Sequence, residues 1–178
     1  VADPAAPRIA EEAAAIAAML GDAELVSDGE ATVSRVRNAG ARPLIHFACH
    51  GRFDPENPRG SGLKLADRWM TVRDVAAMRL AGGLVTLSGC ETGRAGVGAG
   101  DDLTGLVQAF LAAGAGSVLY SLWIVNDAST VELMEWFYRS YGNEAWTAAG
   151  ALRAAQCGIL AVHAHPAFWA PFVLGGQR

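Results

Sequence analysis

Three short apolar runs separated by helix-length segments constrain this chain more than any other feature. They are LIHFA at 44–48, LVTLS at 84–88 and SVLYSL at 117–122. Each is too short for a core helix, and each carries the β-branched or aromatic residues that favour a strand. Strands alternating with helices build βαβ units, and such units assemble a mainly parallel sheet covered on both faces. The expected fold class is therefore α/β, a three-layer sandwich with a mainly parallel central sheet.

The segments between the runs fit that frame. Residues 8–20 place Ile9, Ala13, Ile16, Ala17 and Leu20 on one helical stripe that stops at Gly21. Residues 23–26 read as a short strand, and 30–38 as a helix with Val33 and Val36 inward and Gly40 as its cap. The stretch 52–68 is a long loop marked by Asp54-Pro55, Asn57-Pro58 and Gly60-Ser61-Gly62, with a small hairpin from 62–66 and 69–70. Thr71 and Asp74 have capping-box spacing for a helix to about 79. Asp101 or Asp102 caps a helix with Leu103, Leu106, Val107, Phe110 and Leu111 inward. Helices follow from Asn126-Asp127 to 141 and over 145–163, and 170–174 is a last strand or extended segment.

At 178 residues the chain has the size of one domain with one core, and we expect 1–178 to be a single domain. A start at Val1 rather than Met leads us to expect a piece cut from a longer protein. The net charge of −4, without a basic cluster, argues against nucleic acid or an anionic membrane as the main partner. Cys49, Cys90 and Cys157 are too few and odd in number for a disulfide framework, which points to a reducing, cytoplasmic setting. No apolar run approaches the roughly 20 residues of a membrane span, and no signal-peptide pattern opens the chain.

Two of the runs end on reactive side chains beside glycine. PLIHFACHG (43–51) closes with His50-Gly51, and GLVTLSGCETG (83–93) contains Gly89-Cys90. In an open α/β sheet reacting groups gather at the carboxyl ends of the strands, so neighbouring strands would bring this imidazole and thiol together. A thiol with an ordinary pKa of about 8.5 is mostly protonated at neutral pH, and a nearby imidazole can take its proton and later supply one to a leaving amine. Without a β-carbon, Gly51 lets its N–H approach a carbonyl oxygen. With the N–H of Cys90 it would form an oxyanion hole.

On these residues the chain resembles the caspase-like cysteine peptidases, the clan of caspases, separase and gingipains, and within it the CHAT domain found with TPR repeats. The motifs are HFACHGRFDPENP (46–58), SGLKLAD (61–67), LSGCETG (87–93), GLVQAFLAAGAGSVLYSLWIVND (105–127) and HPAFWAPFVLGG (165–176). The resemblance implies a caspase-like fold and a cysteine endopeptidase with His50 as base, Cys90 as nucleophile, and the Gly51 and Cys90 backbones as oxyanion donors. It further implies a peptide held along a sheet edge, an upstream TPR or sensor region, and a protein substrate, such as an effector in a bacterial defence or programmed-death pathway. Two positions depart from the pattern: Cys49, where threonine or serine is expected, and Gly89, where alanine is. The dyad itself is complete.

Other readings stand beside this one. A catalytically silent domain would use the same groove to dock a partner peptide, and a small-molecule hydrolase or acyltransferase would need a deep closed pocket. Cys49 alternates to the opposite face from His50 and reads as core, as does Cys157. His46 reads as a hydrogen-bonded core histidine, with a role orienting His50 as the sharper alternative. A zinc set of His46, Cys49, His50 and Cys90 has the residue types but neither the spacing nor the facing, so no metal and no organic cofactor is expected. Residues 93–100 lack the Lys-Ser/Thr ending of a phosphate loop and read as a mobile segment beside the nucleophile. Asp101 and Asp102 are helix-start acids or, near the S1 pocket, selectors of a basic P1 residue. Trp123 is either a core aromatic or a platform for a substrate side chain. Trp69, Trp136, Trp146 and Trp169 read as scaffold, and His163 and His165 as caps.

Overall fold

Parallel pairing of the apolar runs organises the computed structural model, which describes residues 7–52, 57–88, 104–123, 125, 127–142 and 147–177. In chain order the helices and strands are α1 (Pro7–Leu20), α2 (Val33–Asn38), β1 (Leu44–Ala48), β2 (Gly51–Arg52), β3 (Gly62–Lys64), β4 (Trp69–Thr71), α3 (Val72–Ala76), β5 (Leu84–Ser88), α4 (Thr104–Ala112), β6 (Ser117–Ser121), α5 (Asp127–Tyr141), α6 (Ala148–Val162), α7 (Pro166–Trp169) and β7 (Phe172–Gly176). The main sheet has the order β1-β5-β6-β7. β1, β5 and β6 run parallel, and β7 closes one edge antiparallel to β6. A second, antiparallel sheet has the order β2-β3-β4.

Alternation along each strand divides the interior in two. On one face of the main sheet Phe47, Val85, Leu87 and Val118 pack with Leu106 and Phe110 of α4, Val75 of α3, and Leu63 and Met70 of the small sheet. On the other, Leu84 and Leu119 pack with Ile16 of α1, Leu133, Met134 and Phe137 of α5, and Ala155 and Ile159 of α6. Burial of each large side chain of this kind stabilises by about 1.5–3 kcal/mol. The result is the three-layer sandwich that the alternation of strands and helices predicts.

Several local expectations change. Residues 23–26 form no strand. Glu24 turns its carboxylate to Arg35 (2.7 Å) and Arg42 (3.1 Å), and a cavity of about 630 Å³ lies along β1, lined by this segment, α1 and the β1 residues. The helix expected over 30–38 begins at Val33, because Thr32 caps it by accepting the Arg35 N–H. Gly40 is no left-handed cap but a close approach: a β-carbon there would overlap the Arg79 carbonyl. The hairpin expected over 62–66 and 69–70 becomes part of the three-stranded sheet. The helix expected over 145–163 starts at Ala148 under a Thr147 cap. The last strand lies at Phe172–Gly176 instead of 170–174. Cys157, expected in the core, is exposed, and Trp136, expected as scaffold, is exposed as well.

The capping box of α3 forms as expected. The Thr71 Oγ1 accepts the Asp74 N–H (3.4 Å) while the Asp74 carboxylate accepts the Thr71 N–H (2.9 Å). Arg68 adds a two-pronged contact to the same carboxylate at 2.7 and 2.8 Å. That guanidinium, with the Thr71 donors, holds the Asp74 carboxyl well below the ordinary carboxylate range. A lowered folded value means stability that is present above the unfolded pKa of about 3.9 and is lost as pH falls through the folded value. Asp74→Asn should therefore cost about 1–2 kcal/mol in urea denaturation at pH 7, with the gap to wild type closing below about pH 4. A gap of constant size down to pH 2 would contradict this.

Candidate active site

His50 stands where the chain leaves the parallel sheet for the antiparallel one. Beyond Ala48 the β1–β5 ladder continues through the Cys49 N–H, which donates to the Ser88 carbonyl at 3.4 Å. One residue on, the His50 carbonyl accepts the Lys64 N–H at 2.7 Å and so belongs to the small sheet. Both sheets thus fix the backbone beside a half-buried imidazole. Gly51 is buried opposite Leu63. Because His50 and Lys64 are joined by a ladder bond, alternation puts Gly51 in a non-hydrogen-bonded pair, with its N–H pointing away from β3.

Cys90 and Gly89 lie outside the described residues, as do the glycine-rich 93–100 segment, Asp101 and Asp102. β5 is described to Ser88, two residues before the thiol. Trp123 lies just past the end of β6 with 38% of its surface exposed, so it is not the core aromatic. The structure therefore brings His50 and Gly51 together at the carboxyl end of β1 and leaves Trp123 open at the carboxyl end of β6, two strands away.

Beneath this rim is a buried polar layer. Tyr138 of α5 donates its hydroxyl to Thr86 Oγ1 at 2.7 Å, so His46 Nδ1, 2.9 Å away, is the donor toward Tyr138. His46 Nε2 then faces Glu12 Oε1 of α1 at 3.2 Å, within ion-pair distance but off the line of a hydrogen bond. His46 and Thr86 are register partners on adjacent strands. Burial pushes the Tyr138 hydroxyl up, with its hydrogen bond to Thr86 opposing. His46 is the bonded core histidine that sequence reading expects. Sequence reading gives no role to Glu12, Thr86 or Tyr138, although an acid spaced with Ile9 and Ile16 on the α1 apolar stripe and polar residues inside two apolar runs are visible signals.

Ser88 and Ser121, at the carboxyl ends of β5 and β6, are fully buried, and neither hydroxyl has a hydrogen-bond partner among the described residues. Cys49 is buried on the opposite face from His46, and burial pushes its thiol up to about 12. That facing separates it from His46 and His50 as a zinc ligand. His165 caps α7 by accepting the Ala167 N–H, and His163 ends α6. Trp69, expected as scaffold, lies under the Arg52 guanidinium, 4.5 Å from ring centroid to Cζ. Among the described residues no helix is long and apolar enough to cross a membrane.

A mainly parallel sheet sandwiched by helices, with a histidine at the carboxyl end of one strand and glycine after it, is consistent with the caspase-like class of α/β domain. The chain belongs to the CHAT domain family, whose sequence profile matches residues 2–177. It is also similar to Tetratricopeptide repeat protein 28 of Mus musculus, 35% identical over 116 residues, and to its Homo sapiens counterpart, 36% identical over 116 residues. Each match covers 64% of this chain and 5% of the relative, so the chain spans a small part of these repeat proteins.

Two outcomes follow from this geometry. Tyr138→Phe leaves His46 Nδ1 and Thr86 Oγ1 buried without their shared partner and should cost about 1–3 kcal/mol in chemical denaturation; a change under about 0.5 kcal/mol would show that the layer is already satisfied without it. In the folded protein iodoacetamide should modify the exposed Cys157 and spare Cys49, as read by peptide mass mapping. Modification of Cys49 at the rate of Cys157 would contradict the burial described.

Proposed function

We propose that this domain is a cysteine endopeptidase that cleaves a protein substrate with His50 and Cys90, as one domain of a longer protein with a regulatory TPR or sensor region. The observation that carries the proposal is the β1–β5 register. From Leu44↔Leu84 to Ala48↔Ser88 each pair differs by forty, and so do His50 and Cys90 (90 − 50 = 40). A parallel ladder continued two residues further would bring positions 50 and 90 opposite each other, on the face that carries His46 and Thr86. Membership of the CHAT family supports the peptidase reading, and the repeat proteins among the relatives support the TPR context.

In this mechanism the imidazole takes the thiol proton, and the thiolate adds to the scissile carbonyl carbon. The new oxyanion accepts hydrogen bonds from the Gly51 and Cys90 amides, and the direction of the Gly51 N–H, away from β3, supports that role. Collapse breaks the C–N bond as His50 gives its proton to the leaving amine, leaving a thioester. Water, deprotonated by His50, adds to the thioester and releases the acid and the free thiol. Neither a metal nor an organic cofactor takes part. Asp101 and Asp102 would select a basic P1 residue, and Trp123 would pack against a substrate side chain.

Cleavage of a peptide library by wild type, Cys90→Ala and His50→Ala tests the proposal. Both variants should melt as wild type does and lose turnover by roughly 10⁴-fold or more. Equal cleavage by Cys90→Ala would remove the nucleophile from the account. Peptide capture by wild type with no turnover, matched by equal capture by Cys90→Ala, would favour the silent docking domain.

A further inference from the structure

The small sheet carries a solvent-facing surface that this chemistry does not use. Its register pairs Gly51 with Leu63 and Leu63 with Met70, and this row is buried in the core. The alternate row contains Arg52, Lys64 and Trp69, with Arg52 opposite Gly62 and Lys64 opposite Trp69. His50 belongs to that same row, being two residues before Arg52 and bonded through its carbonyl to Lys64. A basic and aromatic surface therefore runs without interruption up to the imidazole.

Arg52 is held in a fixed pose on this surface. Its Cζ stands 4.5 Å over the Trp69 ring, and its Nη2 donates to the Gly60 carbonyl at 3.4 Å. Among the described residues its guanidinium meets no carboxylate. By contrast, Arg35, Arg42 and Arg68 each pair with an acid. A guanidinium stacked on an aromatic ring keeps its in-plane N–H groups for an incoming ligand, and their fork fits a carboxylate.

We infer that Arg52, on its Trp69 platform, is a specificity-determining residue that recognises an acidic side chain on the leaving-group side of the scissile bond. The inference rests on the peptidase reading, in which His50 protonates the leaving amine. The surface next to His50 then meets the chain that begins with that amine. Arg52 lies about 7 Å beyond His50 along an extended strand, which matches about two residues of an extended substrate.

The test compares peptides that differ only in Asp or Lys at the second residue after the cleaved bond. Wild type should cleave the Asp peptide about 3- to 10-fold faster in kcat/KM, Arg52→Ala should flatten the preference, and Arg52→Glu should invert it. Because Arg52 is exposed, both variants should melt as wild type does. The same order should hold for binding of fluorescent peptides, by anisotropy, to Cys90→Ala with and without the Arg52 changes. No Asp preference in wild type, or a preference that survives Arg52→Glu, in both measurements overturns the inference. Cys90-dependent cleavage with no Arg52 dependence leaves the peptidase standing without this subsite. Arg52-dependent binding with no turnover removes the peptidase and overturns the leaving-group assignment, leaving an acid-binding surface at Arg52.

Discussion

The register between β1 and β5 is the constraint on which the rest of the molecule depends. It is pinned at both ends. At the start, the Leu84 N–H donates to the Pro43 carbonyl at 2.9 Å, and Gly83 permits this because a β-carbon there would overlap that same carbonyl. At the far end, the Cys49 N–H reaches the Ser88 carbonyl. A slip of one residue would turn every side chain of a strand to the opposite face, setting His46 among Leu63, Met70 and Phe110 and taking Phe47 out of their core.

The buried polar layer enforces the same register by a different kind of force. Hydrophobic burial is tolerant of direction, whereas the bonds joining His46, Tyr138 and Thr86 exist only when residues 46 and 86 are side by side. Glu12 extends the contact to α1, so one layer ties the first helix, two strands and α5. Above it the chain turns at His50 into the small sheet, whose ladder bond from Lys64 holds the candidate base from the other side. The base is thus placed by two sheets, and the Arg52 surface is a by-product of the second.

What the sequence made legible followed from periodicity and from local chemistry. β1 and β5 lie where the apolar runs put them, and Thr71 and Asp74 form their capping box because all its atoms lie within four residues. The strand expected at 23–26 failed since propensity over four residues does not decide pairing, and Glu24 instead binds two arginines brought near by tertiary structure. Cys157 is exposed where core was expected because helical spacing names a face without saying whether another element covers it. The His50 position was readable from strand ends, but the roles of Glu12 and Tyr138 were not, because their contacts join residues 34 and 92 positions from His46 (46 − 12, 138 − 46).

Everything proposed for the site reduces to the imidazole of His50 acting on the thiol of Cys90. The most direct measurement is the pH dependence of Cys90 alkylation by iodoacetamide, followed by mass spectrometry in wild type and in His50→Ala. The account predicts that wild type reacts with a midpoint well below the ordinary thiol value of about 8.5, and that His50→Ala returns the midpoint to that value. Superimposable profiles for the two proteins would contradict it.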